Sequence, residues 1–326
     1  MNTGLRITAF AAAIVATFGT AYGVGASIDP VVAEKPPAAH DEHAEAGGEE
    51  AGEKAEGGHE GASGAAGGLQ ISEGGYTLAL DTPRVAAGKP STLRFSVKDD
   101  SGRSLTSYAR EHGKELHFIV ASRDLTVYRH LHPTRAADGT WSVAAKLPAA
   151  GGYRAFADFK PAGKGATGIT LGADLAVSGR SEPAALPPVR ATAEVDGYQV
   201  TLDGALTPGK ARELTLSVSR DGKPVTDLQP YLGAYGHLVA LRAGDLAYLH
   251  VHPNGEPDDG VTEPGPEVSF TATAPSPGSY RLFLDFQHKG EVRTAAFTVD
   301  VPAAGAGESE DAEESTESEE SGSHGH

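Results

Sequence analysis

The segment HFIVASRDLTVYRHLHP at residues 117–133 returns as HLVALRAGDLAYLHVHP at residues 237–253. Each copy begins with an alternating apolar run, breaks at a short turn, and resumes toward two histidines and a proline. Period-two runs parted by turn residues are the mark of a β-hairpin. Other segments recur in the same order. GYTLALD (75–81) matches GYQVTLD (197–203), LRFSV (93–97) matches LTLSV (214–218), and GGYRAFADF (151–159) matches GSYRLFLDF (278–286). Ordered self-similarity of this kind is a duplication.

Each repeat is a series of short alternating segments broken by Gly, Pro, Asp and Lys, with no 12-residue stretch of helical period. About seven strands per repeat predict an all-β fold of two tandem immunoglobulin-like or cupredoxin-like sandwiches. The expected organisation is a signal peptide or membrane anchor at 1–27, a disordered linker at 28–68, repeat one at 69–178, a Pro-rich joint at 179–190, repeat two at 191–301, and an acidic tail at 302–326.

The apolar run from Ile7 to about Ala26 follows a single basic residue, Arg6. It suits a cleaved signal peptide and is also long enough to span a bilayer. Either way the repeats are expected outside the cytoplasm. The net charge of −17 is concentrated in the flanks: residues 34–60 hold nine acids against Lys35 and Lys54, and residues 308–320 hold eight acids and no base. The repeats are therefore nearly neutral, with no basic footprint for nucleic acid. The flank histidines His40, His43, His59, His324 and His326 lie among acids and are expected to serve solubility.

The chain has no cysteine, and Met1 is its only methionine. Any metal site is thus confined to imidazole and oxygen ligands. Taking Arg123-Asp124 as a two-residue turn sets His117 directly opposite His130. Taking Ala243-Gly244 likewise sets His237 opposite His250. Alternation returns His132 and His252 to the same face. The expected sites are His117, His130 and His132 in repeat one and His237, His250 and His252 in repeat two. Asp158 and Asp285 are candidates for a fourth ligand or for an acceptor that orients an imidazole. Three imidazoles suit Cu(II) or Zn(II). The alternative is a metal-free scaffold or adhesion module whose buried histidines bond one another and Asp. His112 and His288 lack partners in the other repeat, Leu232 standing where His112 would be matched. Tyr153 and Tyr280 fit a tyrosine corner.

No G-x-S-x-G elbow, phosphate loop or H-E-x-x-H occurs, so no enzyme is expected. The H…DL…HLHP…GGYRAFADF pattern, and YLGAYGHLVALRAGDLAYLHVHP (231–253) with it, resembles exported bacterial YtkA-like sandwiches and, more distantly, cupredoxins. The resemblance covers about 100–301 and implies heavy-metal binding, copper handling and service to a membrane metal transporter. It departs from cupredoxins in lacking their cysteine. A monomeric metal carrier or buffer outside the cytoplasm is the resulting expectation.

Overall fold

The computed structural model describes residues 66–303. The N-terminal apolar run, the linker up to residue 65 and the tail from 304 lie outside the described residues. Among those described, every regular element is a strand.

Repeat one is a two-sheet sandwich. One sheet orders β1 (Ser72–Glu73), β2 (Tyr76–Leu80), β4 (Pro90–Asp99), β8 (Trp141–Lys146) and β7 (Thr134–Arg135). The other orders β3 (Arg84–Ala86), β10 (Ile169–Ser178), β9 (Gly151–Phe159), β5 (Leu116–Ser122) and β6 (Tyr128–Leu131). Repeat two copies the plan. One sheet orders β11 (Thr192–Val195), β12 (Tyr198–Asp203), β13 (Ala211–Arg220), β18 (Glu267–Thr273) and β17 (His252–Pro253), with β14 (Lys223–Pro224) also on β13. The other orders β16 (Tyr248–His250), β15 (Gly236–Arg242), β19 (Gly278–His288) and β20 (Glu291–Val301). Residues 179–190 carry no strand. Tyr153 donates to the Ala149 carbonyl and Tyr280 to the Ser276 carbonyl, both at 2.8 Å, so each repeat has its tyrosine corner.

The two cores are separate. Phe118 and Val120 of β5 enter the core of repeat one with Phe95 and Trp141. Leu238 and Ala240 of β15 enter that of repeat two with Phe270 and Phe297. The other faces of the same strands are not exposed. Ile119, Ala121, Tyr128 and Phe156 pack against Val239, Leu241, Tyr248 and Phe283 in a third apolar cluster that joins the repeats. Tyr128 stacks on Phe283 with ring centres 4.1 Å apart and planes 5° from parallel. Covered on both faces, β5 is buried at all seven positions. The histidine face is therefore an internal seam.

The hairpin register differs from the expected one by two residues in each repeat. Ile119, not His117, pairs with His130, and Val239, not His237, pairs with His250. A tight two-residue turn favours positive φ at its centre, which Arg-Asp does not readily adopt. Both hairpins instead close over four residues, Ser122 N donating to the Val127 carbonyl and Arg242 N to the Ala247 carbonyl at 2.9 Å. Leu125 (φ 56) and Leu246 (φ 64) take the left-handed conformation inside these loops. A left-handed leucine is costly, by about 1 kcal/mol. Here both side chains are buried in the seam, which offsets that cost. A slip of two preserves the faces. The histidines keep their side of the sheet while their partners change.

The His-x-His-Pro tetrapeptide is a corner between sheets. β6 pairs with β5 in one sheet and β7 with β8 in the other; β16 and β17 make the same switch. Pro253 is the last residue of β17 and lies opposite Phe270. Gly67 and Gly68, before the expected start of repeat one, are already bonded to both repeats. The Gly67 carbonyl accepts from Tyr248 N of repeat two at 2.9 Å, and Gly68 N donates to Thr170 O of repeat one at 2.8 Å. Gly68 has φ +72, and a Cβ there would lie 2.5 Å from Phe156. This lead-in strap fits only as glycine.

Phe283→Ala removes the stacked ring from the seam and is expected to cost about 3 kcal/mol, the ordinary loss for a buried Phe. Scanning calorimetry should show one unfolding transition for the parent and two for the variant. An unchanged single transition would show that the seam does not couple the repeats.

Candidate metal centre

β5 begins at Leu116–His117, and the strand pairing sets His117 against Asp158 of β9. His237 is set against Asp285 of β19 in the same way. His130 is the next-to-last residue of β6, and His132 follows in the corner. One ring nitrogen from each of His117, His130 and His132 lies within 4.8 Å of the others. Ring centres are 5.3 Å apart for His117 and His130, 5.7 Å for His117 and His132, and 4.7 Å for His130 and His132. Imidazoles sharing one ion at nitrogen–metal bonds near 2.0–2.1 Å have centres roughly 5 Å apart. The triangle expected for repeat one is present, although its register route was different.

Hydrogen bonds fix which nitrogens face inward. His130 Nδ1 is 2.8 Å from Asp285 Oδ2, and Asp285 is 2% exposed. Facing a carboxylate, that nitrogen carries the proton, so a neutral His130 keeps its lone pair on Nε2. His117 Nδ1 lies 3.1 Å from this Nε2, while His117 Nε2 lies 3.4 Å from the Glu111 carbonyl oxygen. One neutral imidazole cannot satisfy both contacts. Donating from Nε2 to the carbonyl sets two lone pairs against each other at His130; donating from Nδ1 sets a lone pair against the carbonyl. A cation between His117 Nδ1 and His130 Nε2 removes the conflict. His132 Nε2 is buried with no hydrogen-bond partner, while its Nδ1 lies 3.3 Å from the Tyr231 hydroxyl. The donor set therefore fits a metal ion.

The carboxylates cross the seam. Asp285, from repeat two, serves His130 of repeat one and accepts from Thr294. Asp158, from repeat one, accepts from Thr170 at 2.9 Å and hydrogen-bonds the Tyr248 phenol of repeat two. Burial first, and then the nearby carboxylate, hold Tyr128 (beside Asp285) and Tyr248 (beside Asp158) well above the ordinary phenol value. Each aspartate thus bonds within its own repeat and also reaches across the seam to the opposite one.

Of the repeat-two candidates, His237 reaches the same seam. Its ring centre is 6.3 Å from His117 and 6.3 Å from His130, and its Nε2 donates to the Tyr231 carbonyl at 2.7 Å. The backbone places His250 at the end of β16 and His252 across from Thr271 in β17; their side chains lie outside the described atoms. His112, set aside for want of a partner, stands 5.5 Å from His237, centre to centre. His112 (φ 49) and Leu232 (φ 55) occupy the same left-handed turn position in the two repeats. His288 is elsewhere, bonded to Tyr198 at 2.7 Å and Asp227 at 3.0 Å.

A family profile aligns to the chain twice, at residues 70–170 and 193–303; it describes a domain of unknown function, DUF8832. The chain belongs to the DUF8832 family. Its two copies of the domain cover the two sandwiches. No curated protein matches the chain. Solved structures with similarity include the Escherichia coli adhesin FdeC (16% identity, 71% of this chain and 65% of that chain, TM-score 0.22). Yersinia pseudotuberculosis InvD (13%, 72% and 59%, 0.21) and the tandem Ig repeats of Dlar (10%, 70% and 98%, 0.19) are others. The chain spans less than two thirds of the FdeC chain. At these scores the sandwich architecture rests on the strands and sheets of this chain itself.

Burial, and after it the neighbouring His130, lowers His117 and His132 to about 3. Burial lowers His237 to about 4. In the unfolded chain a histidine titrates near 6.5, so below about pH 6.5 the unfolded state binds more protons. The stability held by these neutral rings is complete above that pH and is lost as acid approaches the folded values. The loss is at most about 1.4 kcal/mol per pH unit for each ring. Urea midpoints of the metal-free chain should hold near pH 7.5 and fall as the pH drops from about 6.5 to about 5. Midpoints flat over that window would show that the rings are not held neutral.

Proposed function

We propose that this protein binds Cu(II) or Zn(II) outside the cytoplasm as a metal carrier or buffer, without catalysis of its own. One ion is held by His117, His130 and His132. The equivalent residues His237, His250 and His252 supply the second. The observation that carries the reading is that a neutral His117 cannot satisfy both its contact with His130 Nε2 and its contact with the Glu111 carbonyl, beside a buried His132 Nε2 with no partner. Neutral imidazoles in a chain without cysteine favour Cu(II) over Zn(II) by intrinsic affinity and disfavour Cu(I). Asp285 orients His130 and adds a negative charge close to the ion. A membrane metal transporter is the partner such a carrier would serve.

The metal-free scaffold is the competing reading. The His130–Asp285 bond favours it, because that bond alone helps to weld the repeats together.

The full chain and its His117→Ala/His130→Ala/His132→Ala variant are to be titrated with Cu(II) and with Zn(II), so that the flank histidines contribute equally to both. The parent should take up one more tight equivalent and gain about 2.7 kcal/mol at a hundredfold excess over Kd. His132→Ala, which breaks no histidine–histidine hydrogen bond and only the 3.3 Å contact with Tyr231, should lose most of that gain while remaining folded. Identical isotherms for all three proteins would leave the scaffold reading standing.

A further inference from the structure

The lead-in strap at residues 66–70 is held against both repeats by bonds to its backbone. Gly67 O accepts from Tyr248 N of repeat two at 2.9 Å. In repeat one Gly68 N donates to Thr170 O and Gly172 N donates to Gln70 O, each at 2.8 Å. The buried Arg154 guanidinium donates from Nε to the Gly68 carbonyl and from Nη2 to the Leu69 carbonyl, both at 2.7 Å. No side chain of the strap joins an apolar cluster, and Leu69 and Gln70 are exposed. A segment held by hydrogen bonds without buried apolar contacts of its own is the kind that opens locally while the rest of the fold stays closed.

Repeat two keeps the framework and lacks the strap's contacts. The strand pairing makes Arg281 the counterpart of Arg154, Thr298 of Asp174 and Ala296 of Gly172. Arg281 donates from Nη1 to Thr298 as Arg154 does to Asp174. Its Nε, however, is buried with no partner, where Arg154 Nε has the Gly68 carbonyl. A Cβ on Gly172 would stand 1.9 Å from the Gly68 carbonyl oxygen, and Ala296 carries that Cβ in repeat two. The sandwich thus forms without a strap, and Gly172 is the opening that admits one.

The strap's two seam anchors also border the centre. Thr170 and Tyr248 both bond Asp158, which pairs with His117 in the strand register. Asp158 and Tyr248 line a small cavity beside His117 and His130, shared with His112 and His237. Docked, the strap ties the repeats together across that wall. Released, it frees Tyr248 N and Gly172 N and leaves Arg154 Nε in the condition of Arg281 Nε.

We infer that residues 66–70 are a releasable latch on the seam, and that its opening sets how fast the centre exchanges its metal. The latch stands on the strap's own contacts; its control of metal exchange rests on the proposed metal-binding function.

Amide hydrogen exchange of the metal-free full chain, read residue by residue by NMR, tests the latch. The Tyr248 and Gly172 amides should exchange together, at least tenfold faster than those of β5. Gly172→Ala should speed the Tyr248 amide a further tenfold and leave β5 protected. Gly68→Ala, whose Cβ would meet Phe156 at 2.5 Å, should do the same from the strap's side. Stopped-flow transfer of Cu(II) from the loaded full chain to EDTA should be at least fivefold faster in both variants. Tyr248 and Gly172 amides that exchange only when β5 does would make the strap a fixed part of the fold and overturn the latch. Faster amide exchange with unchanged Cu(II) transfer would overturn its control of the centre. No tight Cu(II) uptake by the parent would end the metal reading, and with it that control, while the exchange pattern still decides the latch.

Discussion

The constraint on which the structure depends is that β5 and β15 have no solvent face. Each is a central strand whose even-numbered side chains fill its own sandwich in the segment after the histidine, and whose odd-numbered side chains meet the other repeat. Burying both faces of two sheets excludes water from everything at the ends of those strands, and the histidines are at those ends. Imidazoles in such a place stay neutral because the charged form loses its hydration. They then need partners, and the seam supplies them from across the interface. The 2.8 Å contact between His130 and Asp285 exists only when the repeats are docked.

Much of this was legible in the sequence. Alternation and the duplicated segments indicated strands and two sandwiches, and the alternation rule put His117, His130 and His132 on one face. The hairpin turns were not legible. Their length depends on Leu125 and Leu246 adopting a backbone conformation that leucine avoids, and the reason lies in a seam made of residues far apart in sequence. A continuous apolar run such as FIVA was the available signal, since a strand exposed on one face would show polar residues at Ile119 and Ala121. The crossing of Asp158 and Asp285 was invisible for the same cause: pairing within a repeat can be counted along the chain, but docking between repeats cannot. His112, close to His237 in the seam, was missed because comparison of the repeats rewards likeness, and Leu232 stands at its position in the other repeat.

The centre combines two demands that usually conflict. A buried polar cluster helps specify a docked interface only when its hydrogen bonds are complete. A metal site needs lone pairs left over. Here the bonds to Asp285, Tyr231 and the backbone carbonyls are made on the outer nitrogens, which keeps the rings in place. The inner nitrogens of His117, His130 and His132 remain short of protons. The rings are anchored from outside, so a ligand at the centre need not reorganise the walls.

The reciprocal exchange of carboxylates between the repeats has an ancestry written into it. A surface that gives its aspartate to its neighbour and receives the neighbour's in return is an isologous contact, the kind formed by two identical subunits about a two-fold axis. The seam is arranged as a homodimer interface would be, with its two halves joined in one polypeptide through residues 179–190. In a true homodimer any substitution appears twice and must suit both halves. A fused dimer is free of that rule. His112 on one side and Leu232 on the other are a change only a fused pair can hold, and they give the two halves of one pocket different chemistry.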